Sequence, residues 1–233
     1  LTLYPEMFPG ALSYSVSGRA LKSKIWALET INIRNFGFGK HKNVDGSPAG
    51  GGPGMILRAD VIDKAVTFAT QKIELKNENW PIIFLTPRGK KISHKTTKKL
   101  SKKKGLIIVC GRFEGIDERV IKKWGMLELS IGDFVISGGE LAAMTLIDSC
   151  VRHLPHVLGN QESSKEESFS DGLLEYPQYT QPASWRGIKI PDVLLTGNHK
   201  KIDLFRKKRA MMATKKRRPD LWKKYKKNTK VCL

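Results

Sequence analysis

A chain of 233 residues can hold one large core, or a core with a small appended domain. Its hydrophobic content of 40% is ordinary for a globular protein, and no apolar run reaches the roughly 20 residues of a membrane-spanning helix. The net charge of +20 is unevenly spread: residues 200–230 hold fifteen Lys or Arg against Asp203 and Asp220. That composition suits a polyanion bound through phosphate contacts. A solvated lysine-rich face or an anionic membrane surface is the weaker reading, and charge alone does not separate RNA from DNA. Cys110, Cys150 and Cys232 show no paired spacing. They argue against a disulfide framework or a zinc site, and for a reducing cytoplasm. LTLYPEMF lacks the basic start and apolar stretch of a secretory signal, which points the same way.

In chain order, LTLYP predicts a short strand, and a helical pattern follows through Trp26. Thr30–Phe36 alternates and suits a strand. Residues 37–55 carry too much glycine and proline for a regular element. Asp60–Ile73 restores the helical period. Pro81–Leu85 is a continuous apolar run, a buried strand, ended by the turn residues Thr86-Pro87-Arg88-Gly89. A lysine-rich helix over Thr96–Lys104 leads to a second buried strand, Leu106–Cys110. Gly111–Gly115 forms a glycine-bounded turn, and Asp117 stands where an N-cap would start a helix to Trp124. Leu127–Ser130 and Phe134–Ile136 complete the strands. Gly138-Gly139 then opens the helix around which the chain is organised. Its expected buried face is Leu141, Met144, Thr145, Ile147, Val151 and Leu154.

Alternating strands and helices predict an α/β domain with a parallel sheet. Three glycine-bearing turns follow the carboxyl ends of its strands, the edge where open α/β sheets bind ligands. From Gly159 the composition becomes polar. The chain therefore divides into an α/β domain over 1–158, a flexible linker over 159–170 and a small, basic, mostly helical domain over 171–233. In the last, Gly197-Asn198 cap a helix through about Arg217, and Pro219 starts another. Ile202, Leu204, Phe205, Met211 and Met212 supply its apolar side.

Several chemistries are excluded by motif. Gly50–Gly54 is followed by no Gly-Lys-Ser/Thr, no G-x-G-x-x-G opens a helix, and no nucleophile elbow, HExxH or paired Cys occurs. Ionisable residues near the glycine loops remain. Glu114 is either a ligand contact or a surface carboxylate. Arg152 suits a helix C-terminus whatever its role, and Asp171 suits a turn or an N-cap. His94, His153, His156 and His199 share no spacing and read as incidental.

PEMF, GGGPGM, CGRFEGIDERV, SIGDFVISGGELAAMTLID, ESFSDGLLEYPQYTQP and VLLTGNHKKID, in that order over nearly the whole chain, resemble the bacterial tRNA (guanine-N1)-methyltransferase family. The resemblance implies a knotted (trefoil) form of the α/β domain, which nothing in periodicity suggests, and a homodimer. It implies S-adenosylmethionine (AdoMet) as methyl donor and the anticodon stem-loop of tRNA as partner. The product would be methylated at N1 of the guanine immediately 3′ to the anticodon, a modification that maintains the reading frame. AdoMet would lie among Phe84, Leu85, Thr86 and Pro87, then Gly111, Phe113, Glu114 and Gly115, then Ile131, Gly132, Asp133, Phe134, Val135, Ile136, Gly138 and Gly139. Glu114 would face its cationic end. Asp171 would be the general base and Arg152 the cation at guanine O6. Lys200, Lys201, Arg206, Lys207, Lys215, Arg217 and Arg218 would hold anticodon-stem phosphates. Mg²⁺ is also implied, although no metal cage is legible. Phe113, Phe134 and Ala49 stand where the family usually has Tyr, and Gly46-Ser47 departs from its acidic-polar pair. The expected effect is a looser guanine pocket.

Overall fold

The computed structural model describes residues 1–72, 80–159 and 167–230, in two compact units, Leu1–Gly159 and Asn160–Leu233. The first unit runs through α1 (Ser15–Lys22), the two-residue strands β1 (Asp45–Gly46) and β2 (Ile56–Leu57), α2 (Ala59–Lys72), β3 (Ile82–Lys91) and α3 (His94–Leu100). It continues with β4 (Ile107–Cys110), α4 (Glu118–Trp124), β5 (Leu127–Ser130) and α5 (Gly139–Val151). β3, β4 and β5 make a parallel sheet in the order β4-β3-β5, the α/β architecture expected.

The strands are built from Ile, Val and Leu, whose branched side chains pack on a pleated surface. Alternate residues of β3 point to opposite faces. Phe84 joins Val61, Val66 and Val109 on one side, while Ile83 and Leu85 join Leu129, Ala143 and Leu146 on the other. Both faces are therefore covered, which is why the strand reads as an unbroken apolar run. Its far end departs from the expectation of a simple turn. Leu85 and Lys90 both pair with Leu129, residues 86–89 loop out between them, and the ladder resumes through Lys91 and Ser130.

Other expectations also need correction. Thr30–Phe36 is not a strand: Ile33–Phe36 forms a 3-10 turn, and the Asn32 side chain accepts from the Arg34 N–H at 2.9 Å. That local side-chain bond outweighs the alternation. LTLYP contributes a single parallel bridge, Thr2 to Asn32, with Leu1 bonded to the Ile108 carbonyl at 2.7 Å and to the Cys110 N–H at 2.9 Å. Phe134–Ile136 joins no sheet, and Val135 is 82% exposed. α3 starts at His94 behind a Ser93 cap and ends at Leu100, short of Lys104.

α5 buries Gly139, Glu140, Ala142, Ala143, Leu146, Cys150 and Val151, whereas Leu141 is 52% exposed. Of the expected face Val151 is buried and Ile147 and Leu154 pack partly buried around it, whereas Thr145 is exposed; toward the sheet the helix presents Leu146 with the small Ala142, Ala143 and Cys150. Asp117 does cap α4, accepting from the Arg119 N–H at 2.9 Å. Ile73, the expected end of α2, lies outside the described residues.

The second unit holds a hairpin of β6 (Ser184–Trp185) and β7 (Ile188–Lys189), then α6 (His199–Arg217) and α7 (Pro219–Lys230). The hairpin has no counterpart among the sequence-based expectations. Asn198 caps α6, accepting from the Lys201 N–H at 3.1 Å. α6 buries Ile202, Ala210 and Thr214. Thr214 Oγ1 donates to the Ala210 carbonyl and accepts from the Leu174 N–H, each at 2.8 Å. Leu204 and Met212 are exposed and do not belong to the apolar side. Most of the expected linker, 160–166, lies outside the described residues. Among the described residues, no helix is long and apolar enough to cross a membrane.

Candidate functional site

At the carboxyl end of the sheet, three loops close around a cavity of about 320 Å³. Residues 84–88, the 111–115 loop after β4 and the 129–139 segment between β5 and α5 line it. These bring together Phe84, Leu85, Thr86, Pro87, Gly111, Phe113, Glu114, Gly115, Ile131, Phe134, Val135, Ile136, Gly138 and Gly139. Gly132 and Asp133 stand apart from the lining. The Gly132 N–H is turned to Ser130 Oγ at 3.2 Å, and the exposed Asp133 carboxylate pairs with Lys91 Nζ at 2.6 Å.

Two glycines are required by close approach. A Cβ on Gly139 would lie 2.7 Å from Cys110 Cα and 2.8 Å from Gly111 N, because the Gly139 N–H donates to the Gly111 carbonyl at 2.8 Å. A Cβ on Gly54, at φ +84°, would lie 2.5 Å from Glu114 Cγ. The GGGPGM loop thus backs the Glu114 side chain, and the Glu114 main-chain N–H donates to the Met55 carbonyl at 2.9 Å. Phe113 also has positive φ, +58°, and is held there by the loop around it.

Sequence reasoning passed over Arg112, which lines the cavity, and its buried partner Glu140. Glu140 is fully buried at the start of α5 and accepts a 2.7 Å bond from Thr2 Oγ1. Its other oxygen, Oε2, lies 2.9 Å from Arg112 Nη2, close enough for ion pairing but not aligned as a hydrogen bond. Arg112 Nη1 donates to the Ser137 carbonyl at 3.1 Å, and the guanidinium stacks 4.4 Å from the Tyr4 ring centroid. The signal was present: a charged residue inside a glycine-bounded turn, and another directly after Gly138-Gly139.

A wider cleft of about 640 Å³ is bordered by Gly46, Ser47 and Ala49 and by three ion pairs. Arg58–Asp60 and Arg119–Asp117 each close at 2.8 Å, as does Lys123–Asp63, where the Trp124 indole N–H also donates to Asp63 at 2.7 Å. Arg58, Arg119 and Lys123, each hydrogen-bonded to its partner, hold the carboxyls of Asp60, Asp117 and Asp63 below their usual range. Burial instead pushes the Cys110 and Cys150 thiols up to about 12, which keeps them protonated and unreactive.

Arg152 is the C-cap residue of α5, its N–H bonded to the Asp148 carbonyl at 3.1 Å. Asp171 is exposed in a turn of the second unit, followed by Gly172 at φ +78°. It lines a groove with Glu175, Asp203, Arg206, Lys207 and Tyr225. Lys200, Lys201, Lys207, Lys215 and Arg217 are exposed along α6. Arg206 and Arg218 differ from them. Arg206 is half-buried with its guanidinium 4.9 Å from the Tyr176 ring centroid, and Arg218 is bound to Asp220 through two bonds of 2.9 and 2.7 Å. Among the described residues no three His, Cys, Asp or Glu converge as a metal site.

Residues 1–224 match the family model described as tRNA (Guanine-1)-methyltransferase TrmD. A protein of Ruegeria sp. (strain TM1040), called tRNA (guanine-N(1)-)-methyltransferase, is 54% identical over 97% of this chain and 91% of its own length. Proteins of the same name from Jannaschia sp. (strain CCS1) and Gluconobacter oxydans (strain 621H) are 51% and 50% identical, over 95% and 97% of this chain and 90% and 94% of theirs.

Proposed function

Because the chain belongs to the tRNA (guanine-1)-methyltransferase family, we propose that it methylates N1 of the guanine immediately 3′ to the anticodon of tRNA, with AdoMet as donor. The observation that carries this reading is the convergence of the three loops on one cavity. Its volume falls at the lower end of the range for small-molecule sites. At Gly139 a Cβ would meet the main chain of Cys110 and Gly111, and the lining combines apolar side chains such as Phe84, Leu85, Ile131 and Ile136 with the glycines Gly111, Gly115, Gly138 and Gly139. Those features fit a bent nucleoside, and the trefoil knot of the family belongs with the same close approach. Bound there, AdoMet supplies a methyl group made electrophilic by its sulfonium.

The chain supplies the rest. Guanine N1 carries a proton at neutral pH and is a poor nucleophile until it leaves. Asp171 takes that proton as general base. Arg152 meets the negative charge that gathers on O6. Glu114, on the cavity wall, faces the cationic end of the donor. The basic face of α6 holds stem phosphates, with Lys200, Lys201, Lys207, Lys215 and Arg217 as the exposed cations. Arg206 and Arg218 contribute after leaving Tyr176 and Asp220. Among the described residues no side-chain cluster fits Mg²⁺, and no step is assigned to it.

The protein acts as a homodimer in the cytoplasm, and both subunits contribute to each site. Phe113, Phe134 and Val135 of the cavity lining and Leu141 of α5 are exposed and supply the apolar surface a second copy would cover. One experiment tests the whole reading. The chain is incubated with labelled AdoMet and tRNA transcripts, and the modified nucleotide is mapped. Label on N1 of the guanine 3′ to the anticodon supports it. Label on ribose or on ribosomal RNA alone, or none, overturns it.

A further inference from the structure

We propose that the β6–β7 hairpin is a platform on which an unpaired base of the RNA substrate stacks, with Trp185 as the stacking surface. This rests on the reading of RNA as substrate.

The hairpin is built to present a side chain rather than bury one. Arg186 at φ +50° and Gly187 at φ +81° form a two-residue turn with both residues in the left-handed region, the geometry that matches the twist of paired strands. Trp185 pairs with Ile188 across the ladder, and the Ile190 N–H closes the base on the Ala183 carbonyl at 3.0 Å. Yet Trp185 is 58% exposed and Ile188 67% exposed. Two large apolar side chains paired across the hairpin and exposed on its surface mark a contact site.

Charge selects the occupant. The Arg186 guanidinium lies 5.1 Å from the Trp185 ring centroid, Lys189 follows on β7, and the fifteen cations of residues 200–230 belong to the same unit. Cations around an exposed indole suit a polyanion whose bases stack on aromatic rings. Paired RNA hides its base faces, so the feature recognised is a loop or an unpaired nucleotide.

The test uses the full chain, a tRNA transcript and a fully paired RNA stem of equal length. Trp185→Ala is expected to weaken tRNA binding roughly 5- to 150-fold, the loss of one base–aromatic stack. Trp185→Phe restores most of that loss. The salt dependence of binding stays unchanged because phosphate contacts are untouched. Affinity for the paired stem stays within twofold of wild type, as does AdoMet affinity by calorimetry. Unchanged tRNA affinity, or equal losses on stem and tRNA, overturns the proposal. So does a fall in sedimenting mass on Trp185→Ala, which would make the hairpin a contact between copies. Failure of the wild type to bind tRNA at all would strike the functional reading itself, and is distinguishable because it precedes any substitution.

Discussion

Arg112 Nη2 stands 2.9 Å from Glu140 Oε2, joining the loop after β4 to the first turn of α5. Chain order separates these two residues by α4 and β5. The Glu140 side chain is fully buried and Arg112 is largely so, and Thr2 and Ser137 take up other polar atoms of the pair. The pair ties the loop after β4, on the cavity wall, to the start of α5.

Removing one partner leaves a buried charge uncompensated. Arg112→Met is expected to cost about 3–5 kcal/mol, whereas Arg112→Met with Glu140→Leu costs less than the single change. Urea unfolding of the two variants checks the order. A double variant less stable than the single one would show that the ion pair is not what the site requires.

Asp171 is exposed on a turn of the second unit. Asp171→Asn keeps the shape and removes the carboxylate proposed as the base. Methyl transfer to tRNA falls by roughly 10²–10⁴-fold, while AdoMet binding measured by calorimetry is unchanged. Retained turnover removes Asp171 from its role.

Gly139→Ala places a methyl against the main chain of Cys110 and Gly111, neither of which can swing aside. Overpacking of this kind costs typically 1–3 kcal/mol, and the displaced loop weakens AdoMet binding at least about tenfold, equivalent to 1.4 kcal/mol. Gly125→Ala is the control. It meets nothing within 4 Å and suffers only the strain of φ +54°, about 1–2 kcal/mol, with AdoMet affinity intact.

Acid and alkali act on different groups. Asp60, Asp63 and Asp117 have folded pKa values below their ordinary 3.8. Their contribution is present above that value and is lost as pH falls through the depressed range. Cys110 and Cys150 are raised from 9.0 to about 12. Their stabilising effect is complete below pH 9 and disappears as pH climbs toward 12. Melting temperature followed against pH reports both limbs. Asp63→Asn flattens part of the acid limb alone, and Cys150→Ala part of the alkaline limb alone.

Much of this was legible because backbone demands leave residue-level marks. The apolar runs that became β3, β4 and β5, the Asp117 and Asn198 caps and the glycine loops each state a local requirement. What was misread depended on partners far along the chain. The alternation of Thr30–Phe36 lost to one Asn32 side-chain bond. The sheet-facing side of α5 combines Leu146 with Ala142, Ala143 and Cys150, three small residues that a search for large apolar side chains overlooks. Phe134 and Val135 look like strand residues and are loop residues with exposed side chains. Arg112 and Glu140 explain each other only once folding brings them together. The β6–β7 hairpin turns on Arg186, a residue type that announces no left-handed turn.

The return of β3 to Leu129, after its excursion at 86–89, gives a single stretch of chain two duties. One end lies within the sheet, the middle forms a rim of the hollow, and the other end is sewn back onto β5. A molecule lodged against Thr86 and Pro87 would quieten the amides of Lys90 and Lys91 as well. Deuterium uptake at that seam would therefore register occupancy in a place the guest never touches.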